Sequence, residues 1–319
     1  MQGEERKENI DQTELDRSCA CIASGSGTDG RRLRKEDRIA ILDSGLGGIS
    51  VLREMLPVMP EERYLYYGDS VNAPYGEKPA DRIIEICRGH IERFLAEGVK
   101  CVVLACNTAT SAAAEVLRKE YPFLPIIGME PAVKPAAEHK GSQHVLVLAT
   151  PLTIHGDRLH HLVAEHGGGT SFILREAPGI VRFVEAGICD AAPNEELYAY
   201  LRELLSEFRT DPDRTDGADK HFLKLDGVVL GCTHFPFVRH SIEKTLGYPV
   251  SVYDGAHGTA VQTRRRLEGL SLLCGTRKTE ASVQLSAFKS SERKEIPQNI
   301  LLQNSDPEKI PLEQMLLSL

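Results

Sequence analysis

The sequence has no apolar run of about 18 residues, the length a membrane-spanning helix requires, so no membrane segment is expected. A secretory leader is also missing: the start of the chain is polar, and the apolar stretch Cys19–Ala23 is too short for a signal core. Positive charge is not in excess. The 38 Lys and Arg stand against 46 Asp and Glu, a net charge of −8, and a body of that sign has no general attraction for a phosphate backbone. Direct nucleic-acid binding is therefore not expected. There is no Cys-x-x-Cys motif, and no second ligand cluster accompanies Cys19 and Cys21, so neither a redox dithiol nor a metal site is expected. The 8 cysteines read as free thiols in a reducing cytoplasm rather than as a disulfide framework. Cys87, Cys101 and Cys189 lie in apolar patterns and read as small buried hydrophobes.

What is present is an ordinary globular balance, 41% hydrophobic in 319 residues, enough for one large or two medium domains. Residues 1–36 mix charge with Gly and Ser and read as a disordered leader. Strands and helices then alternate. The spacing predicts strands at Arg38–Leu42, Tyr64–Tyr67, Lys100–Ala105, Ile126–Ile127, Val145–Leu148, Ser171–Leu174, Gly227–Leu230 and Val250–Tyr253. Helices are predicted at Pro79–Ala96, Asn107–Lys119 and Pro193–Phe208, and from about His234 and Gly258. Arg209–Lys220 reads as a surface loop, and the chain beyond Arg277 as a polar tail with a Leu-rich end at Ile310–Leu319. This alternation implies an α/β fold of mainly parallel sheets flanked by helices, with ligands at the carboxyl ends of the strands.

Two segments resemble each other. Val102-Val-Leu-Ala-Cys106-Asn107-Thr108 and Val228-Val-Leu-Gly-Cys232-Thr233-His234 each run from an apolar strand through a cysteine into polar residues. Each cysteine is expected at a strand end, in or just before the first turn of a helix. There, free backbone N–H groups and the helix dipole favour a thiolate. An isolated cysteine of this kind would read equally well as an inert core residue; two at matched positions point to chemistry. Paired thiols suit inversion of a carbon centre by proton transfer, which needs a base on one face and an acid on the other.

Other motifs also follow strand ends. Asp43-Ser44-Gly45-Leu46-Gly47-Gly48 permits close backbone approach and anion binding, but lacks the spacing of a dinucleotide fingerprint. Asp43 reads either as a turn or capping carboxylate, or as a group that orients an ammonium or a thiol. Gly68-Asp69-Ser70 and Asn72-Ala-Pro-Tyr75-Gly76 form a plain loop or a pocket rim. Glu130 and Thr150-Pro-Leu-Thr153 fit capping as well as catalysis. His234, two residues after Cys232, supplies a charge or a proton near that thiol, whereas His160, His161 and His166 read as surface residues.

With these residues in hand, the sequence resembles bacterial glutamate racemase, of the aspartate/glutamate racemase superfamily. The matching motifs are Asp43-Ser-Gly-x-Gly-Gly48, Tyr67-Gly-Asp69, Pro74-Tyr-Gly76, Ala105-Cys-Asn-Thr-Ala109, Glu130-Pro131 and Gly231-Cys-Thr-His-Phe-Pro236, in order over Arg38 to Leu270. The resemblance implies two similar α/β domains with the active site in the cleft between them. They would be residues 37–133 plus 248–274, and residues 134–247, flanked by the leader 1–36 and a polar tail 275–319. It implies that Cys106 and Cys232 are the two bases, deprotonating D- and L-glutamate respectively. Asp43, Ser44, Tyr75, Gly76, Asn107, Thr108, Thr233 and His234 would line the substrate pocket. It further implies no pyridoxal phosphate or other cofactor, no metal, a homodimer, a cytoplasmic location, and D-glutamate supplied to peptidoglycan. The chain departs from the family at Ala177-Pro178, where a cysteine is common, and in the unusual Pro151-Leu-Thr-Ile-His-Gly156. Alternatives are a related isomerase acting on aspartate, hydantoins or maleate, a thiol redox protein, and a binding protein that keeps the fold without turnover.

Overall fold

A computed structural model describes residues 32–139, 141, 143–210, 222–275 and 298–319. Most of the expected leader, the pair Cys19 and Cys21, the greater part of the loop after Arg209 and the first part of the tail lie outside these residues. In chain order the elements are β1 (Arg38–Asp43), α1 (Ile49–Val58), β2 (Tyr64–Gly68), α2 (Ala80–Glu97), β3 (Val99–Leu104), α3 (Asn107–Glu120), β4 (Ile126–Gly128) and α4 (Val133–Glu138). There follow β5 (His144–Ala149), α5 (Pro151–His155), α6 (Asp157–His166), β6 (Ser171–Glu176), α7 (Pro178–Glu185), α8 (Glu195–Leu204) and β7 (Gly227–Leu230). The chain closes with α9 (Arg239–Leu246), β8 (Ser251–Asp254), α10 (Ala256–Gly269), β9 (Ile300–Asn304) and α11 (Ile310–Ser318).

The strands form two sheets, ordered β4-β3-β1-β2-β9 and β6-β5-β7-β8. Every pairing is parallel. The central strands are near-continuous apolar runs because both faces are covered, as parallel sheets require. On one face of the first sheet Ala40, Leu42, Leu65, Val102 and Leu104 pack under α2 and α3. On the other, Ile39, Ile41, Tyr64, Tyr66 and Val103 join Leu146, Leu148, Val228 and Leu230 of the second sheet in one continuous core. The remaining face of the second sheet, Val145, Val147, Ala149 and Val229, packs with Ile154 and Leu159 of α5 and α6. The helix expected around Pro193 starts at Glu195, because the Asn194 side chain accepts from Leu197 N–H at 2.8 Å and caps it. At the base of the first sheet, Lys100 pairs with Glu62 at 2.6 Å, both wholly buried. Losing either partner would strand a buried charge, a penalty of about 3–5 kcal/mol.

Three placements correct the sequence expectations. β8 hydrogen-bonds to β7 in the second sheet, so the return to the first half falls after Asp254 rather than at residue 248, with α10 packing on α1. The end of the tail is not a separate polar extension: β9 pairs with β2 as the edge strand of the first sheet, and α11 packs on α1. The alternation of β9 is short and follows a polar stretch, which hides it from periodicity. Finally, the helix expected from His234 begins only at Arg239. A 3-10 turn, Phe235–Val238, precedes it, and Pro236 there has no N–H to give to a regular α-helical ladder. Among the described residues no helix is long and apolar enough to cross a membrane.

Candidate active site

Cys106 is the N-cap of α3 and follows β3 by one alanine, as Cys232 follows β7 by one glycine; both are buried. The two strands belong to different sheets, and the Asp43–Gly48 turn after β1 lies between the strand ends. A side chain at Gly48 would put its Cβ 2.6 Å from Asp43 Cβ and 3.1 Å from Ala105 Cβ, and one at Gly47 would run into His234 and Thr233. These glycines let the turn touch both cysteine loops at once. Thr233 Oγ1 donates to Asp43 Oδ1 at 3.1 Å, and Gly45 N–H donates to Asp43 Oδ2 at 3.0 Å. Asp43 is thus both a turn carboxylate and the tie between the two halves.

The two thiols sit in different electrostatic settings. Burial pushes the Cys106 thiol up to about 12, with the Asp43 and Cys232 charges adding to it and hydrogen bonds from Ala109 N–H and Ser44 opposing it. Cys232 instead faces an imidazole ring: His234 Nδ1 lies 3.7 Å from its sulfur, and His234 Nε2 lies 2.7 Å from Glu185 Oε1. Burial alone would lower the His234 imidazole, but Cys232 and Glu185 overcome it and hold the ring well above the ordinary histidine range. As an imidazolium it donates to both. Glu185 is held below the usual carboxylate range despite its burial, by His234, the Leu46 N–H and Lys309. Burial raises Asp43, against the pull of His234 and the Gly45 and Gly48 N–H groups.

The rim is polar. Asn107 is buried, and neither atom of its amide has a partner, an arrangement that suits a ligand's polar atoms. Thr108 and Thr150 hydroxyls meet at 3.0 Å, and Thr150 donates to Thr153 at 3.1 Å. Tyr75 is buried, its hydroxyl donating to Asp69 Oδ2 at 2.7 Å. Burial would raise Asp69, but hydrogen bonds from His90, Tyr75 and Asn72 hold it below its usual range. Gly76 packs on Thr150, where a Cβ would lie 3.2 Å from Thr150 Cβ.

The sequence model described as Asp/Glu/Hydantoin racemase matches residues 50–263. The chain belongs to the Asp/Glu/Hydantoin racemase family. It is 43% identical over 229 residues to glutamate racemase of Clostridium novyi (strain NT), covering 72% of this chain and 83% of the relative. It is 40% identical over 262 residues to glutamate racemase of Clostridium perfringens (strain ATCC 13124), covering 82% and 94%. The crystal structure of Thermus thermophilus glutamate racemase in complex with β-chloro-D-alanine matches with a TM-score of 0.64 at 27% identity, over 89% of this chain and 94% of that one.

In this racemase-family chain, Ser44 hydrogen-bonds to Cys106, Asp43 joins Thr233, His234 meets Cys232, Asn107 and Thr108 open α3 after Cys106, and Tyr75 packs in the same apolar cluster as Cys106 with its hydroxyl on Asp69. Glu130 lies elsewhere: it pairs with Arg158 and, with Arg118, Tyr253 and Arg266, lines a separate cavity. His160 and His161 are exposed, and His166 is half-buried. Glu185 is the residue that sequence reasoning missed. It sits in α7 with no local motif, and only the approach of α7 to the Asp43 turn brings it to His234. Because Pro236 leaves Cys232 ahead of a 3-10 turn, only Cys106 stands at the helix start expected of both; there the Ala109 N–H opposes burial without outweighing it, so the thiolate expected from the helix end is not favoured in the free site, and beside Cys232 the polar partner is His234.

Proposed function

We propose that this protein interconverts L- and D-glutamate by a two-base proton transfer, with Cys106 and Cys232 as the acid–base pair. The observation that carries the reading is the convergence of two buried thiols from separate sheets on one turn, each with its own polar partners, in a chain of a racemase family. In one direction the Cys106 thiolate takes the Cα proton of D-glutamate, and the resulting carbanion takes a proton from the Cys232 thiol on the opposite face, giving L-glutamate. The reverse direction exchanges the two roles. His234, held by Glu185, tunes the proton on Cys232. Burial first, and then the Asp43 charge, keeps the Cys106 thiol protonated in the free site; the substrate ammonium, placed near Asp43, offsets the second of these. Asn107, Ser44, Thr108 and Thr233, with the first N–H groups of α3, take the carboxylates.

No pyridoxal phosphate enters this mechanism. The further parts of the proposal are a homodimer in the cytoplasm that supplies D-glutamate to peptidoglycan; light scattering of the purified protein tests the dimer. The chemistry is tested by circular dichroism with L- and then D-glutamate and no added cofactor. Rotation should decay from both sides, and Cys106→Ser and Cys232→Ser should each lower the rate by about 10²–10⁴-fold. Turnover of aspartate instead of glutamate would keep the mechanism and reject the substrate. No turnover of any acidic amino acid would reject both.

A further inference from the structure

The end of the chain reaches the back of the site. Gly68, the last residue of β2, packs where three groups meet. A Cβ there would lie 2.5 Å from both Asn304 Nδ2 and the Gly45 carbonyl oxygen, and 2.8 Å from Glu313 Oε1. Asn304, ending β9, donates to Glu313 Oε1 at 2.7 Å. Glu313, in α11, is wholly buried, and its second carboxyl oxygen has no hydrogen-bond partner. Tyr66 of β2 donates its hydroxyl to the same Gly45 carbonyl at 2.6 Å. Just before α11, Lys309 Nζ donates to the backbone carbonyl of Glu185 at 2.5 Å. The C-terminal segment therefore meets the Asp43–Gly48 turn across Gly68 and bonds directly to Glu185, the residue that holds His234.

We propose that the C-terminal strand and helix are part of the active-site framework, with Glu313 as a positioning residue for the Asp43–Gly48 turn and for Glu185. The inference rests on reading the site as a racemase centre. It depends on Glu313 being uncharged. The charged groups acting on it are Glu185 of α7 and Asp43 of β1, both carboxylates; Asn304 of β9 and Tyr66 of β2 are neutral. Burial, then the Glu185 and Asp43 charges, push the Glu313 carboxyl up to about 8 against the hydrogen bond from Asn304. Once ionised, it is a third carboxylate beside a pair already served by His234 and Lys309. Repulsion then moves the turn and Glu185, and with them the alignment of His234 on Cys232.

The test is the pH profile of kcat/KM for glutamate racemisation from pH 6 to 10 in wild type, Glu313→Ala and Glu313→Gln, with Cys106→Ser as the inactive control. Glu313→Ala should lose on the order of tenfold to a hundredfold at pH 7, as a misplaced turn would. Glu313→Gln, a neutral isostere that still accepts from Asn304, should recover most of that loss. It should also move the alkaline fall, centred near pH 8 in wild type, upward by at least a unit. A Glu313→Gln profile that falls with wild type, or a glutamine variant as impaired as the alanine, overturns the proposal. Thermal melting supplies a readout that does not need turnover. Folding raises the Glu313 carboxyl from 4.5 to about 8, so the native state binds the proton more tightly and wild type loses stability as the pH rises through that window. The melting temperature of Glu313→Gln should gain on wild type between pH 5 and 9; a constant difference overturns the uncharged Glu313. If wild type fails to racemise glutamate, the reading of the site fails, while the melting comparison still decides the state of Glu313.

Discussion

At the scale of single residues, the asymmetry between the two thiols is the main chemical fact. Cys106 is kept protonated by burial and by Asp43, while Cys232 lies 3.7 Å from the buried His234 ring. The His234–Glu185 pair should therefore leave a mark on stability as well as on rate. The His234 ring is raised above 6.5 in the fold, so its contribution is complete below pH 6.5 and is lost as the pH rises through the raised value. Glu185 is lowered below 4.5, so its contribution is present above pH 4.5 and is lost as the pH falls through the lowered value. Wild type should thus exceed His234→Asn in melting temperature most clearly between pH 5 and 6.5, with the gap narrowing toward pH 9. A gap that widens with pH would mean that the ring is neutral in the fold. The same variant should lose rate more steeply when Cys232 must act as base, that is, starting from L-glutamate.

At the scale of elements, the site depends on a turn that can pass between two cysteine loops. Gly47→Ala would drive a methyl group into His234 and Thr233. The turn is short and held at both ends, by Asp43 within it and by Glu185 on Leu46 N–H at 2.8 Å, so the clash is relieved by shifting His234 and Thr233. The expected outcome is a loss of about 10²-fold in kcat/KM with a melting temperature that changes little, measured on the same preparation. A large loss of stability with near-normal turnover per folded molecule would place the turn's importance in folding instead. The Asp43 turn, the strand before Cys106 and the α3 cap are all visible in sequence, because each is a local pattern of apolar run, polar cap and glycine. β9 is not, because a short edge strand carries a weak alternation and its partner β2 lies far back in the chain; the Leu-rich segment that forms α11 is visible, but where it docks is not.

At the scale of the whole molecule, the two sheets are not independent. Ile39 and Val103 of the first and Leu148 and Leu230 of the second belong to one core, and Asp43–Thr233 links their active-site ends. Removing apolar surface on one side of that core should loosen the other. Urea unfolding followed by far-UV circular dichroism and by racemase activity should give coincident midpoints. Loss of activity well before loss of structure would show that the halves separate first.

The sequence by itself determined the α/β class, most strand positions and both cysteine turns, together with Asp43, Thr233 and His234. Those features are carried by neighbours in the chain: periodicity, a cap, a glycine turn, a histidine two residues from a thiol. Tertiary structure alone decided that β8 joins the second sheet, that the last residues complete the first, and that Glu185, Lys309 and Glu313 stand behind the site. Their partners are set by strand register and helix packing across long stretches of chain, and no local pattern encodes a contact of that kind.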